Sequence, residues 1–328
     1  MNKKNATILF YGLIWYAIIR FLKDYFLGLL YLMISGFNEN GLEIIGLLTQ
    51  SAVLIISAIL FAWFIKRKLS SHDKGEGQSV WNILGIKPIG RGTVLKSVLL
   101  GAVCFFTFNI LKNSIVLVFA SFGRDVSIGY VDAPPDFPSF LFLLLMFCLW
   151  MPLGEELIYR GMLFHMPVER ENVVLLTITN LLVFAGAHEY GDQAIQAFFL
   201  GLVLCLSAYR TKSTSVGIII HMVFNLFGMI ITYYFPLSLF TIFGVNGNGT
   251  PNEMRLAAAR MLFVVIALLI LLVVLISKMK LPFKVAYEVK EQDNGSRKMS
   301  ALAIIALIVV VAFSVWRLVV VVRNTGIS

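Results

Sequence analysis

The sequence predicts an all-α polytopic membrane protein of about nine transmembrane helices, with a catalytic helical bundle formed by spans four to seven. Three observations predict this. Apolar residues make up 59% of the 328 residues and charged ones only 14%, where soluble domains carry about 25% charge. Mean hydropathy is +0.87. Apolar runs long enough to cross a bilayer core, about 20 residues as a helix, recur along the chain. A soluble two-domain protein would need long polar loops, and few are present.

The predicted spans are 7–34, 42–65, 94–120, 139–164, 172–188, 192–209, 214–235, 256–277 and 300–322. The first is long and is interrupted by Arg20, Lys23 and Asp24. It begins after two lysines but has no small-residue cleavage site, so it reads as an uncleaved span. The fifth and sixth are short. The ninth follows a polar linker, 278–298, and is almost purely aliphatic, as an appended anchor would be. The chain divides into N-terminal helices with a loop (1–138), a core (139–235) and C-terminal helices (236–328).

Charge between the spans sets the orientation. Residues 66–96 carry Lys66, Arg67, Lys68, Lys74, Lys87, Arg91 and Lys96 against Asp73 and Glu76. Arg210 and Lys212 mark the next basic loop, and 278–298 the third. The intervening loops, 121–138 and 236–255, are poor in basic residues. Alternation of this kind predicts a multi-pass protein of the cell membrane with a cytoplasmic N-terminus. It also accounts for the net charge of +9. No basic helix with interleaved aromatics appears, which argues against nucleic acid as a partner. Cys104, Cys148 and Cys205 each sit inside an apolar run, with neither disulfide nor zinc-knuckle spacing, and read as packing residues. No internal repeat is visible.

Ionisable residues within a bilayer are expensive, which makes them functional candidates. They concentrate in spans four to seven. Span four ends in Pro152, then Glu155, Glu156 and Arg160. Glu156 and Arg160 are four apart and share a helix face, so they can pair. Glu155 points about 100° away and is left for a different role. Phe184 and His188 close span five at the same spacing, and His221 and Asn225 share a face of span seven. Helices joined by short connections can bring these residues to one buried point.

A carboxylate and an imidazole can deprotonate a water. A second imidazole and an amide can hold an oxyanion. Glu155, His188 and His221 could alternatively hold zinc, the one cofactor the set suggests. Either arrangement hydrolyses a peptide bond. No serine or cysteine stands out as a nucleophile. Packing glue or an ion path is the competing reading of such residues.

In order, these residues form EExxxR (Glu155, Glu156, Arg160), FxxxH (Phe184, His188) and HxxxN (His221, Asn225). The pattern resembles that of the CAAX protease and bacteriocin-processing family (Abi) of intramembrane endopeptidases, over about 139–235. The resemblance implies a helical bundle and cleavage of a membrane-proximal peptide bond in a peptide or protein substrate. It implies that Glu155 with His188 activates the water, that His221 with Asn225 stabilises the oxyanion, and that Glu156 with Arg160 is a supporting ion pair. It leaves a glutamate-activated and a metal-bound water both open. The roles it suggests are peptide or bacteriocin processing, self-immunity or CAAX-type processing. The alternatives are a catalytically inactive immunity or binding protein and a proton-coupled transporter.

Straight spans raise one difficulty. They put His188 at the outer end of span five, about 10 Å in depth from Glu155 and His221. The short fifth and sixth spans predict instead that the turn after His188 dips into the membrane and lines a wet cavity.

Overall fold

The computed structural model describes residues 3–33, 39–70, 79–124, 126, 134, 136–166, 173–188, 190–234, 239–245 and 249–278. The ninth span, all of the linker beyond Lys278 and half of loop 121–138 lie outside the described residues.

The described elements are helical throughout. They are α1 (Lys3–Met33), α2 (Glu39–Ser70), α3 (Val80–Ile83), α4 (Arg91–Ala120), α5 (Phe137–His165), α6 (Val173–Ala185), α7 (Gly191–Thr211), α8 (Thr214–Tyr234), α9 (Leu239–Ile242) and α10 (Pro251–Lys278). Each of the first eight predicted spans is therefore a helix. Six of them, in α2, α4, α5, α7, α8 and α10, are long and apolar enough to cross a membrane. These six are the spans found among the described residues; the predicted ninth lies outside them. α1 carries Arg20, Lys23 and Asp24 in its apolar part. α6 has thirteen residues, or about 20 Å of helix, against a bilayer core of about 30 Å.

The two largest of four apolar clusters among the described residues pack around the site. In one, Leu13 of α1, Phe61 of α2, Tyr159 and Phe164 of α5, and Phe184 of α6 pack with residues of α7. In the other, Leu100, Cys104 and Phe108 of α4 meet Leu200 and Leu204 of α7 and Ile220 and Phe224 of α8. α4 also packs along α10. A β-carbon on Gly101 would sit 2.7 Å from the Ile220 carbonyl oxygen, so only glycine lets α4 approach α8 this closely. The three cysteines are buried free thiols.

Span three contains an ionisable residue that the sequence pattern does not single out. Lys112 of α4 pairs with Asp192 in the first turn of α7, Nζ to Oδ2 at 3.2 Å. Asp192 also accepts the Gln193 N–H through Oδ1 at 2.8 Å. An acid there is favoured by the helix N-terminus, and the pair ties the start of α7 to α4.

α5 is not a uniform α-helix. Met146–Trp150 and Leu157–His165 are wound as π-helix around an α-helical piece, Met151–Glu156. Pro152 explains the first widening. It has no N–H to give the preceding turn, and its ring crowds that turn's carbonyls. The Met151 N–H reaches back five residues to the Met146 carbonyl. In the same register the Phe147 carbonyl would take its proton from residue 152, a proline. It accepts instead from the Asn225 amide, Nδ2 to O at 2.7 Å. The Tyr159 carbonyl, in the second widened stretch, likewise accepts from Asn180 of α6 at 2.6 Å.

Candidate active site

Glu155, Glu156 and Arg160 come from the middle of α5, where the winding changes. Glu156 and Arg160 are fully buried, and Oε1 to Nη1 is 2.9 Å. The guanidinium also lies over the Phe184 ring, 4.3 Å from its centroid, a cation–π contact strengthened by desolvation. The helical spacing that predicted this pair is realised.

α8 adds what the spacing could not predict. His221 Nδ1 lies 3.0 Å from Glu156 Oε1. A carboxylate at this distance accepts, so Nδ1 carries the proton and Nε2 faces the other way. That second nitrogen lies 3.7 Å from Glu155 Oε2. The neighbouring glutamates thus approach opposite sides of one imidazole. Glu156 is more than the partner of Arg160, because the same oxygen orients His221. Gly217, one turn before His221, makes room for it: a β-carbon there would lie 2.8 Å from Glu156 Oε2.

His188 follows α6 in a turn. Its Nδ1 lies 2.9 Å from the Phe184 carbonyl. The carbonyl can only accept, so this nitrogen donates and Nε2 is left as an acceptor. The Phe184 ring meets both histidines edge to face, at 5.1 Å from His188 and 5.9 Å from His221. Phe184 therefore sets the separation of the two imidazoles while covering Arg160.

Glu155, His188, His221 and Asn225 all line one cavity of about 510 Å³. Its remaining wall mixes apolar residues such as Phe105, Phe147 and Met229 with the polar Lys23, Gln50, Gln193 and Gln196. The depth mismatch expected of straight spans is absent, since α6 is short and His188 leaves it on a turn that reaches the cavity. Asn225 spends one of its two N–H groups on the Phe147 carbonyl. Lys23 and Gln50, from α1 and α2, are site residues that sequence reasoning missed. The signal was present in the charges interrupting the first span.

Zinc fits this arrangement poorly. Among the described residues no three His, Cys, Asp or Glu side chains stand together as metal ligands. Glu155 and His221 face each other, and the hold of Glu156 on Nδ1 leaves Nε2 as the nitrogen a metal would take, but His188 is not grouped with them as a third ligand.

Residues 137–227 match the family model described as Rce1-like, type II CAAX prenyl endopeptidase Rce1-like. The match covers under a third of the chain and runs from the start of α5 into α8, taking in all seven motif residues. The resemblance to CAAX-type proteases is thereby shown for this segment. No curated protein and no solved structure matches the chain.

Proposed function

We propose that this chain, with its CAAX-type protease segment, is a membrane-embedded endopeptidase that hydrolyses a peptide bond with a glutamate-activated water. The observation that carries the reading is the shared cavity: Glu155, His188, His221 and Asn225 line it together.

In this mechanism Glu155 takes a proton from a water whose oxygen attacks the scissile carbonyl carbon. The Glu155–His221 gap of 3.7 Å is too long for a direct hydrogen bond, which leaves the Glu155 carboxylate able to accept from that water. His188 accepts from the same water through Nε2. As the C–O bond forms, the carbonyl electron pair moves onto oxygen. Nε2–H of His221 and the second N–H of Asn225 donate to that oxyanion. Collapse breaks the C–N bond, and the proton held by Glu155 passes to the leaving amine.

His221 sits between the two carboxylates, Nδ1 on Glu156 and Nε2 toward Glu155, with Arg160 beside Glu156. The substrate is a peptide or protein cut near the bilayer of the cell membrane, with the N-terminus of the chain in the cytoplasm. Peptide or bacteriocin processing, self-immunity and CAAX-type processing are the biological roles this chemistry serves.

The test is cleavage of a library of membrane-anchored peptides by the purified full chain. Glu155→Ala, His188→Ala and His221→Ala should each lower kcat about 100-fold or more. Folded variants that cleave like the wild type would sink the protease reading and favour a binding protein or transporter.

A further inference from the structure

Behind the main cavity lies a second, of about 30 Å³, enough for one water. Lys23, Gln50, Glu155 and Ala187 line both, so they form the partition between them. Arg20, Tyr16 and Tyr159 complete the polar part of the smaller chamber. The two phenol oxygens are 3.4 Å apart. Lys23 is only 5% exposed.

Among the described residues lining the two cavities, the permanent charges are Arg20 and Lys23 against Glu155. The main cavity presents one of these cations, Lys23, to whatever enters it. Neither cation is isolated, so an incoming anion joins a set already in place.

We propose that Lys23, with Gln50 beside it and Arg20 behind, is a specificity-determining residue that receives a carboxylate of the peptide substrate. The inference rests on the endopeptidase reading and adds to it a requirement on the substrate. The carboxylate seat shares a wall with Glu155. At about 3.3–3.6 Å per extended residue, the bond cut then lies within a few residues of the charge. A free chain terminus and an acidic side chain both supply that chemistry. The ammonium comes from α1, outside the matched segment 137–227, so the preference belongs to this chain's own N-terminal helix.

The experiment uses the full chain in lipid nanodiscs and three versions of one cleavable peptide. They are a free C-terminal acid, its C-terminal amide, and the amide with an aspartate near the terminus. Cleavage gives kcat and KM, and calorimetry with the corresponding product peptides gives affinity without turnover. The wild type should favour at least one carboxylate form over the plain amide by about tenfold or more, in KM and in affinity. Lys23→Met should bring that ratio to within about twofold of one, and Lys23→Arg should keep most of it. Preference for the acid alone identifies a chain terminus; preference for the aspartate peptide identifies a side chain. Equal handling of all three by the wild type overturns the carboxylate site and leaves the protease reading standing. So does a Lys23→Met variant that loses kcat on every peptide and keeps the acid-to-amide ratio, because Lys23 then serves Glu155. Carboxylate-selective binding with no cleavage has the opposite meaning: the site stands and the endopeptidase reading fails.

Discussion

Asn225 has two jobs in this fold, and a double substitution separates them. One N–H satisfies the Phe147 carbonyl at 2.7 Å, which is left over because residue 152 is proline. The other is the proposed oxyanion donor. Asn225→Ala removes both. Leaving the carbonyl without a partner should cost about 1–3 kcal/mol of stability, and losing the oxyanion donor about 100- to 1000-fold in kcat. Pro152→Ala restores a backbone N–H to α5 within reach of the widened turn. Unfolding in mixed micelles should show Asn225→Ala destabilised and the Pro152→Ala/Asn225→Ala double variant recovering at least half of the loss. Peptide cleavage should stay low in both. If Asn225→Ala is as stable as the wild type, the orphan-carbonyl argument is wrong. If the double variant recovers cleavage along with stability, Asn225 is purely a structural donor and the oxyanion assignment falls.

Other expectations follow from the buried charges and close contacts. Glu156→Ala strands a fully buried guanidinium and should cost about 3–5 kcal/mol. Glu156→Met/Arg160→Met, which leaves no charge behind, should recover much of that stability in the same unfolding assay and stay inactive because His221 has lost its anchor. Gly217→Ala puts a β-carbon 2.8 Å from Glu156 Oε2 and must displace a carboxylate held by two partners. A shift of under 1 Å at His221 should lower kcat by about 10- to 100-fold. Gly92→Ala, with nothing within 4 Å of the new carbon, is the matched control and should retain full activity. Lys112→Met should destabilise more than Lys112→Met/Asp192→Leu, measured by thermal unfolding, since the single change takes the ammonium away from a buried carboxylate. Cys104, Cys148 and Cys205 are buried and should resist maleimide labelling until the protein is unfolded.

What is legible in the sequence is what depends on one helix at a time. Glu156 and Arg160 pair because four residues of helix bring them together, and no knowledge of the rest of the chain is needed. The apolar runs became helices for the same reason. The approach of His221 to Glu156 depends on how α8 is rotated and how deep it sits against α5, and neither is written in spacing. Pairing across helices also hides Lys112, whose partner is eighty positions away. The predicted separation of the glutamates is half right: they do leave the helix in different directions, but His221 lies between those directions and is reached from both sides. Pro152 is visible as a residue, but its consequence is not. That consequence runs through a hydrogen-bond register that widens to five residues, a carbonyl left over, and an amide on another helix.

The same distinction explains why α1 reads in sequence as a span with defects. Arg20 and Lys23 break its apolar run, and charge in a run ordinarily marks the end of a span or an interfacial piece. In the fold, α1 packs against α2 and the second half of α5, which turns Lys23 inward to the cavity wall and Arg20 to the chamber behind it. A charge that weakens the case for a lipid-facing helix strengthens the case for a helix that faces a polar site. Segment 137–227 holds the groups proposed to break the bond, while Lys23 and Gln50, proposed to meet the substrate at the partition, come from helices before it. Chemistry and selectivity can then vary separately in such a bundle. On this proposal a substitution at Lys23 should change which peptide is held while Glu155, His188, His221 and Asn225 stay in the sequence.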